Sequence, residues 1–355
     1  MSIAKAVLFA GVGAGAVITG LSCGAQQAQA AGVKDQTPVF TLKVYTDLVQ
    51  VPTLVLDHDQ QSLPPIEPKR FQVSLDGGKR FAPTHVRLEG DDPLDLAILV
   101  DASGTQRAGL ALNVAEAAAA MAAKALHPQD HVSVYTLSCN LLRTAYEMPP
   151  DPAALRNAIE NGLNSPKLGK DSAGRSCGRD VYLWGALTAI ITDLNKATGR
   201  RAILAVSDGQ DDGSKISWDA LHDYAGAQGV ALFGMRDPGR VWQAWRGGRA
   251  DPFRSLCEST GGIILETGRR GLEKQLEQWV KLLRGRYVVE FPRPQQLTQA
   301  HHSIEVSVKR DGLAFVTLAG VSVTLPDPKL TSDPHYLPSQ EGADIPVGKR
   351  RPSPE

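Results

Sequence analysis

The chain has 355 residues, enough for about two average domains and a substantial core. Its 38 Lys and Arg balance 38 Asp and Glu, so no net field draws it to phosphate backbones or anionic lipid, and nucleic acid drops out as an expected partner. With 42% hydrophobic residues, 34 Gly and 23 Pro it reads as a folded, turn-rich protein, and four cysteines without a CxxC pair exclude a disulfide-dense scaffold and a zinc ribbon.

Residues 1–30 read as a sorting segment. Lys5 is the only charge before Lys34, the run from Ala6 to Leu21 is apolar, and Ala28-Gln29-Ala30 has the form of a small-x-small cleavage site. The expectation is an exported protein, periplasmic or secreted, whose mature chain begins near Ala31. A membrane anchor is the alternative, weakened by five glycines among residues 11–24. Gly11-Val12-Gly13-Ala14-Gly15 imitates part of a dinucleotide fingerprint, but no strand precedes it and no acid follows at the ribose-binding interval.

Residues 31–90 form an N-terminal β segment. Phe40–Val44 and Leu54–Leu56 alternate as strands, and Asp76-Gly77-Gly78 is a turn that predicts a hairpin between Phe71–Leu75 and the residues from Arg80 onward. An α/β domain then spans 91–285. Leu94–Val100 is nearly continuously apolar, as a strand covered on both faces must be, and ends at Asp101. The alanine-rich stretch from Gly109 to Leu126 predicts a helix. Strands His131–Leu137 and Leu141–Met148 follow; three residues are too few for a crossover, so this pair is antiparallel and the second strand lies at the sheet edge. Asp151 opens a helix with Pro152 in its first turn. After a polar loop from Ser165 to Asp180 come a helix from Tyr182 to Lys196 and a second buried-type strand ending at Ser207-Asp208. Helices near Trp218–Ala227, Pro252–Glu258 and Gly271–Leu283 alternate with strands at Val230–Met235 and Gly262–Leu265. This order predicts a doubly wound, mostly parallel sheet with helices on both faces. Residues 286–325 return to strands, Tyr287–Phe291, His302–Val308 and Ala314–Thr324, which could join the N-terminal strands in one small β module. The tail, 326–355, holds seven prolines and is expected to be disordered.

Ligands of an open α/β sheet gather beyond the carboxyl ends of its strands, where this chain places Asp101-Ala102-Ser103-Gly104-Thr105 and Ser207-Asp208-Gly209. Alternation aims Asp101, Ser103 and Thr105 the same way, and Asp208 adds a second carboxylate. Such an oxygen-only set suits Mg²⁺, Mn²⁺ or Ca²⁺ rather than zinc.

With this D-x-S-x-T turn, the later Ser207-Asp208-Gly209 and Ser259-Thr260-Gly261-Gly262, the chain resembles von Willebrand factor type A (VWA) domains. Its flanking segments are similar to an exported, acidobacterial-type subfamily. The resemblance, over about Phe40–Val323, implies a metal-ion-dependent adhesion site with Asp101, Ser103, Thr105 and Asp208 as ligands. A partner protein's carboxylate would take the open position. The family's further threonine has no counterpart in Ser176-Cys177-Gly178-Arg179-Asp180-Val181; Asp180 is the candidate replacement, with Arg179 beside it as an alternative counter-cation. The competing reading is a metal-free rim held by hydrogen bonds, in a scaffold that works through its β module.

Export permits a disulfide, and Cys139 and Cys177 are both expected at this rim, so a Cys139–Cys177 bridge is expected, against two buried free thiols. Cys257, beside Leu256, reads as core. Asp208, Gln210 and Asp212 imitate half of an EF-hand loop, but the twelfth position is Asp219 rather than Glu. His301-His302 reads as a solvated pair at a strand edge. Trp242 and Trp245, among arginines, read as core or as a partner surface. The eight histidines form no HExxH, and there is no GxSxG elbow or P-loop, so neither an enzyme nor a small-molecule substrate is expected.

Overall fold

The computed structural model of the chain describes residues 48–103, 110–170, 174–176, 181–197, 200–238, 251–293, 302–309, 314–318 and 322–323. All of them belong to one contact unit, Thr46–Glu355. The expected strand Phe40–Val44, the indoles Trp242 and Trp245, the sorting segment and the tail lie outside them.

The apolar runs become a six-stranded sheet. Its strands are β4 (Leu94–Asp101), β5 (His131–Leu137), β6 (Leu141–Met148), β7 (Arg200–Val206), β8 (Ala231–Arg236) and β9 (Ile264–Glu266), in the order β6-β5-β4-β7-β8-β9. All neighbours are parallel except β6, which turns back on β5 and forms one edge. β4 is buried along its whole length, and alternation splits its side chains between two cores. Leu96, Ile98 and Val100 pack with α1 (Ala111–Ala125), α2 (Pro152–Leu163) and the last helix, α6 (Leu272–Arg284). Ala97 and Leu99 pack with α3 (Leu183–Leu194), α4 (Trp218–Gln228) and α5 (Pro252–Ser259). Local chemistry sets the helix starts: Asp151 caps α2 by accepting from Ala154 N, Ser217 caps α4 through Ala220 N, and Asp251 caps α5 through Arg254 N. Among the described residues no helix is long and apolar enough to cross a membrane.

The strands on either side of this unit pair with each other. β1 (Leu48–Leu56), β3 (His85–Leu88), β10 (Tyr287–Pro292) and β12 (Phe315–Leu318) form a sheet in the order β12-β1-β10-β3. β2 (Phe71–Leu75), β11 (His302–Val308) and β13 (Ser322–Val323) form a second, and both sheets share one core that includes Val49, Val51, Phe71, Val73, Val289, Phe291 and Val306. The hairpin expected after Asp76-Gly77-Gly78 shrinks to a single bridge, Val73 to Phe81. β2 instead pairs along its length with β11, because the larger apolar partner lies there. His302 is likewise not solvated: it is buried, and its Nδ1 lies 2.5 Å from Asp76 Oδ2.

Two linkers join the parts, and buried charge holds them together. Glu89, whose side chain is 0% exposed, accepts from Arg286 Nε at 2.9 Å and from Arg200 Nη1 at 2.6 Å. Asp130, equally buried, accepts from Arg284 Nη2 at 2.6 Å and from the backbone of Leu94 and His127. Each buried carboxylate is satisfied several times over, as burial of a charge requires.

Candidate cation-binding rim

The chain runs β4, β5, β6 towards one edge of the large sheet and β7, β8, β9 towards the other, so the strand order reverses between β4 and β7. The crevice beyond their carboxyl ends is the place where such sheets hold ligands. Asp101 ends β4 there, and Asp208 follows β7 by two residues.

Asp101 is 1% exposed. Its Oδ1 accepts from Ser103 N at 2.9 Å and from Ser103 Oγ at 2.6 Å, while its Oδ2 accepts from Ser207 Oγ at 2.7 Å. Ser207 Oγ in turn accepts from Gly209 N at 3.1 Å. Since each hydroxyl turns its proton towards Asp101, the lone pairs of Ser103 Oγ remain as acceptors. Burial pushes the Asp101 carboxyl up to about 6, opposed by the hydroxyls of Ser103 and Ser207 and assisted by the negative charge of Asp208. Among the described residues no Lys or Arg forms an ion pair with Asp101 or Asp208.

The loop carrying Asp208 is built without slack. Gly209 has φ of +82°, and a Cβ there would lie 2.5 Å from the Phe253 Cβ, so this position admits glycine alone. Asp211 Oδ1 accepts from Trp184 N at 2.9 Å, Ser214 Oγ accepts from Gly185 N at 3.0 Å, and together they close the start of α3. Asp212 N and Gly213 N both donate to Val181 O. The residue that follows Asp180 is therefore tied to the loop that holds Asp208. Within the half EF-hand spacing, Asp208 Oδ1 accepts from Gln210 N and the backbone of Asp212 is tied to Val181, while Asp211, which lies outside that spacing, serves the start of α3.

Of the predicted site residues, Asp101, Ser103 and Asp208 meet at this rim; Thr105, Asp180 and Cys177 lie outside the described residues. Cys139 is disulfide-bonded, and Cys257 is a free, buried thiol whose pKa burial pushes well up. Ser259-Thr260-Gly261-Gly262 is structural: Thr260 Oγ1 donates to Leu256 O and accepts from Leu232 N, locking α5 to β8. Two features escaped sequence reasoning. Ser207 contributes a hydroxyl as well as its place beside Asp208. Arg236, at the end of β8, is buried and pairs with Asp251 and Glu266, a cluster signalled only by a charge terminating an apolar run.

No group of three or more His, Cys, Asp or Glu among the described residues is placed to hold a metal. The rim offers a mixed carboxylate and hydroxyl set instead. Its oxygen-only chemistry, together with a buried carboxylate that pairs with no cationic side chain among the described residues, fits a hard divalent cation.

No family model matches the chain, and no curated protein matches it. Among solved structures it is similar to proximal thread matrix protein 1 of the mussel byssus, at 14% identity over 63% of this chain and 51% of that one, with a TM-score of 0.43. It is also similar to the N-terminal domain of TFIIH p34, at 15% identity over 53% of this chain and 97% of that one, TM-score 0.38. A third is the manganese-loaded TRAP protein of Plasmodium vivax, at 12% identity over 66% and 96%, TM-score 0.37. The chain spans about half the length of the byssus protein. Its fold class, α/β with a mostly parallel sheet, rests on strand order and register rather than on these distant likenesses.

Proposed function

We propose that this is an exported binding protein of the VWA type that captures a protein partner through a divalent cation, Mg²⁺ or alternatively Mn²⁺ or Ca²⁺. The observation that carries the reading is the Asp101 carboxylate. It is buried at the switch point and fixed through both oxygens by serine hydroxyls, with the Asp208 carboxylate near enough to raise its proton affinity. A bound cation would supply positive charge to the two carboxylates and an open position for a carboxylate of the partner. In this reading Asp101 and Asp208 provide charge, Ser103 and Thr105 provide neutral oxygens, and Asp180, next in sequence to the tied-down Val181, would add a third carboxylate. A Cys139–Cys177 bridge would brace the same loop. The chain acts as a binder rather than an enzyme.

Thermal melts of EDTA-treated protein test the proposal: Mg²⁺ or Mn²⁺ at millimolar concentration raises the melting temperature of the wild type and leaves Asp208→Asn unmoved. No shift in the wild type removes the cation from the reading. A metal-free scaffold is the second reading, favoured by the two-sheet β module with its own core. Partner capture unchanged by Asp101→Ala would select it.

A further inference from the structure

Ser207 follows β7 directly, and the parallel register that pairs Val100 with Val206 brings it beside Asp101. Alternation puts both side chains on the face of Leu99 and Ala205, which α3, α4 and α5 cover, so the hydroxyl is buried together with the carboxylate it meets. Its own position is fixed, since Ser207 N donates to Met235 O on β8.

The two oxygens of Asp101 are held unequally. Oδ1 accepts from the N–H and the hydroxyl of Ser103, whereas Oδ2 accepts, among the described residues, from Ser207 Oγ alone. Without that donor the carboxylate would be anchored at one oxygen only, and the other would stay buried with no partner. The same hydroxyl also accepts from Gly209 N, on the far side of the residue that carries the second charge. Asp208 is aimed by this turn, where its Oδ1 accepts from Gln210 N at 3.1 Å. A serine hydroxyl has one proton and two lone pairs, so it can donate to Asp101 and accept from Gly209 at once. One side chain therefore touches the first carboxylate and the turn that orients the second.

From these contacts we infer, on the cation reading above, that Ser207 is a positioning residue for the cation site, acting on Asp101 and Asp208 together. Two carboxylates share one cation well only when both are aimed at it, and the cost of ordering a loose pair is taken out of the affinity. Hydroxyl chemistry is what the position needs. Alanine has no donor there and the S–H of cysteine is a weak one, whereas threonine keeps the O–H on a side chain that suits the end of a strand. A buried hydrogen bond to a charged group is worth enough that its loss lowers affinity about tenfold or more.

Two measurements on the full-length protein test this role. Mn²⁺ titration, followed by the electron paramagnetic resonance of the free ion, gives the affinity, and hydrogen exchange in EDTA reads the turn with no cation present. Ser207→Ala and Ser207→Cys should each bind Mn²⁺ about tenfold or more weakly than the wild type, while Ser207→Thr restores most of the loss. The Gly209 amide should exchange about tenfold or more faster in Ser207→Ala and stay protected in Ser207→Thr, with the amides inside β7 protected in both. Should alanine unfold the sheet, cysteine, of similar volume, carries the same comparison. Wild-type binding with undiminished affinity in Ser207→Ala overturns the role of Ser207 and leaves the cation reading standing. Threonine no better than alanine, or Gly209 exchange unchanged by alanine, overturns it as well. A wild type that binds no Mn²⁺ removes the cation reading itself, and the role of Ser207 with it.

Discussion

Ser207 Oγ donates to Asp101 Oδ2 at 2.7 Å across 106 residues of sequence, and so closes the crevice between β4 and β7 around a carboxylate. That bond favours the ionised acid, yet the burial it accompanies favours the neutral one, and burial is the larger effect.

The sign of the resulting pH dependence follows. The folded-state pKa of Asp101, about 6, lies above its ordinary value of 3.8, so the folded chain holds the proton more tightly than the unfolded chain does. This group therefore contributes stability that is fully present below pH 4 and is lost as pH rises through 6, roughly 3 kcal/mol in all. Urea unfolding in EDTA should show that loss between pH 4 and 7, and Asp101→Asn should flatten it and exceed the wild type in stability at pH 7.

Divalent cation should reverse the trend. Binding needs the ionised carboxylate, so the Mg²⁺-induced rise in melting temperature should be larger at pH 7.5 than at pH 5. At 100 times Kd the stabilisation is about 2.7 kcal/mol. Equal shifts at the two pH values would count against Asp101 as a ligand.

Gly209→Ala should damage the rim through backbone geometry alone. It forces a side chain into the left-handed region and against Phe253. The expected cost is about 1–3 kcal/mol in chemical unfolding, with loss of the cation response, since Asp208 is the preceding residue.

Glu89→Ala leaves Arg286 and Arg200 without their shared carboxylate in a buried site. A loss of about 3–5 kcal/mol is expected by urea titration. Glu89→Gln, which keeps the volume, should fall between the two.

Peptide mapping without reductant should recover Cys139 in a peptide crosslinked to that of Cys177, and Cys257 alkylated only after unfolding. Recovery of alkylated Cys139 and Cys177 from the unreduced protein would refute the bridge.

The α/β part was the most legible, since a strand covered on both faces has to be apolar throughout, as β4 is, and an antiparallel return through three residues leaves β6 only an edge. The meeting of Asp101, Ser103 and Asp208 at one rim follows from the same order of elements. Partners distant in sequence were not legible. The turn at Asp76-Gly77-Gly78 suggests a local hairpin, but β2 finds its apolar match in β11, and the buried His302 goes with that pairing. Glu89, Arg200 and Arg286 look like solvated charges in a linear reading, because nothing local reveals that three separate segments will enclose them. The proton affinity of Asp101 is likewise a property of its surroundings.

The enclosure of the α/β part between the halves of the β module bears on how the chain reaches its native state. Gln50 bonds to Glu290, 240 residues later, so β1 must wait for that whole intervening stretch to be synthesised before β10 can cover it. The large sheet is assembled from a contiguous stretch and can form first. Closing the module is then a late event of high contact order, slow by its topology and preceded by a period in which Val49, Val51 and Val55 stand uncovered. A truncation just before β10 would fix the molecule in that aggregation-prone condition.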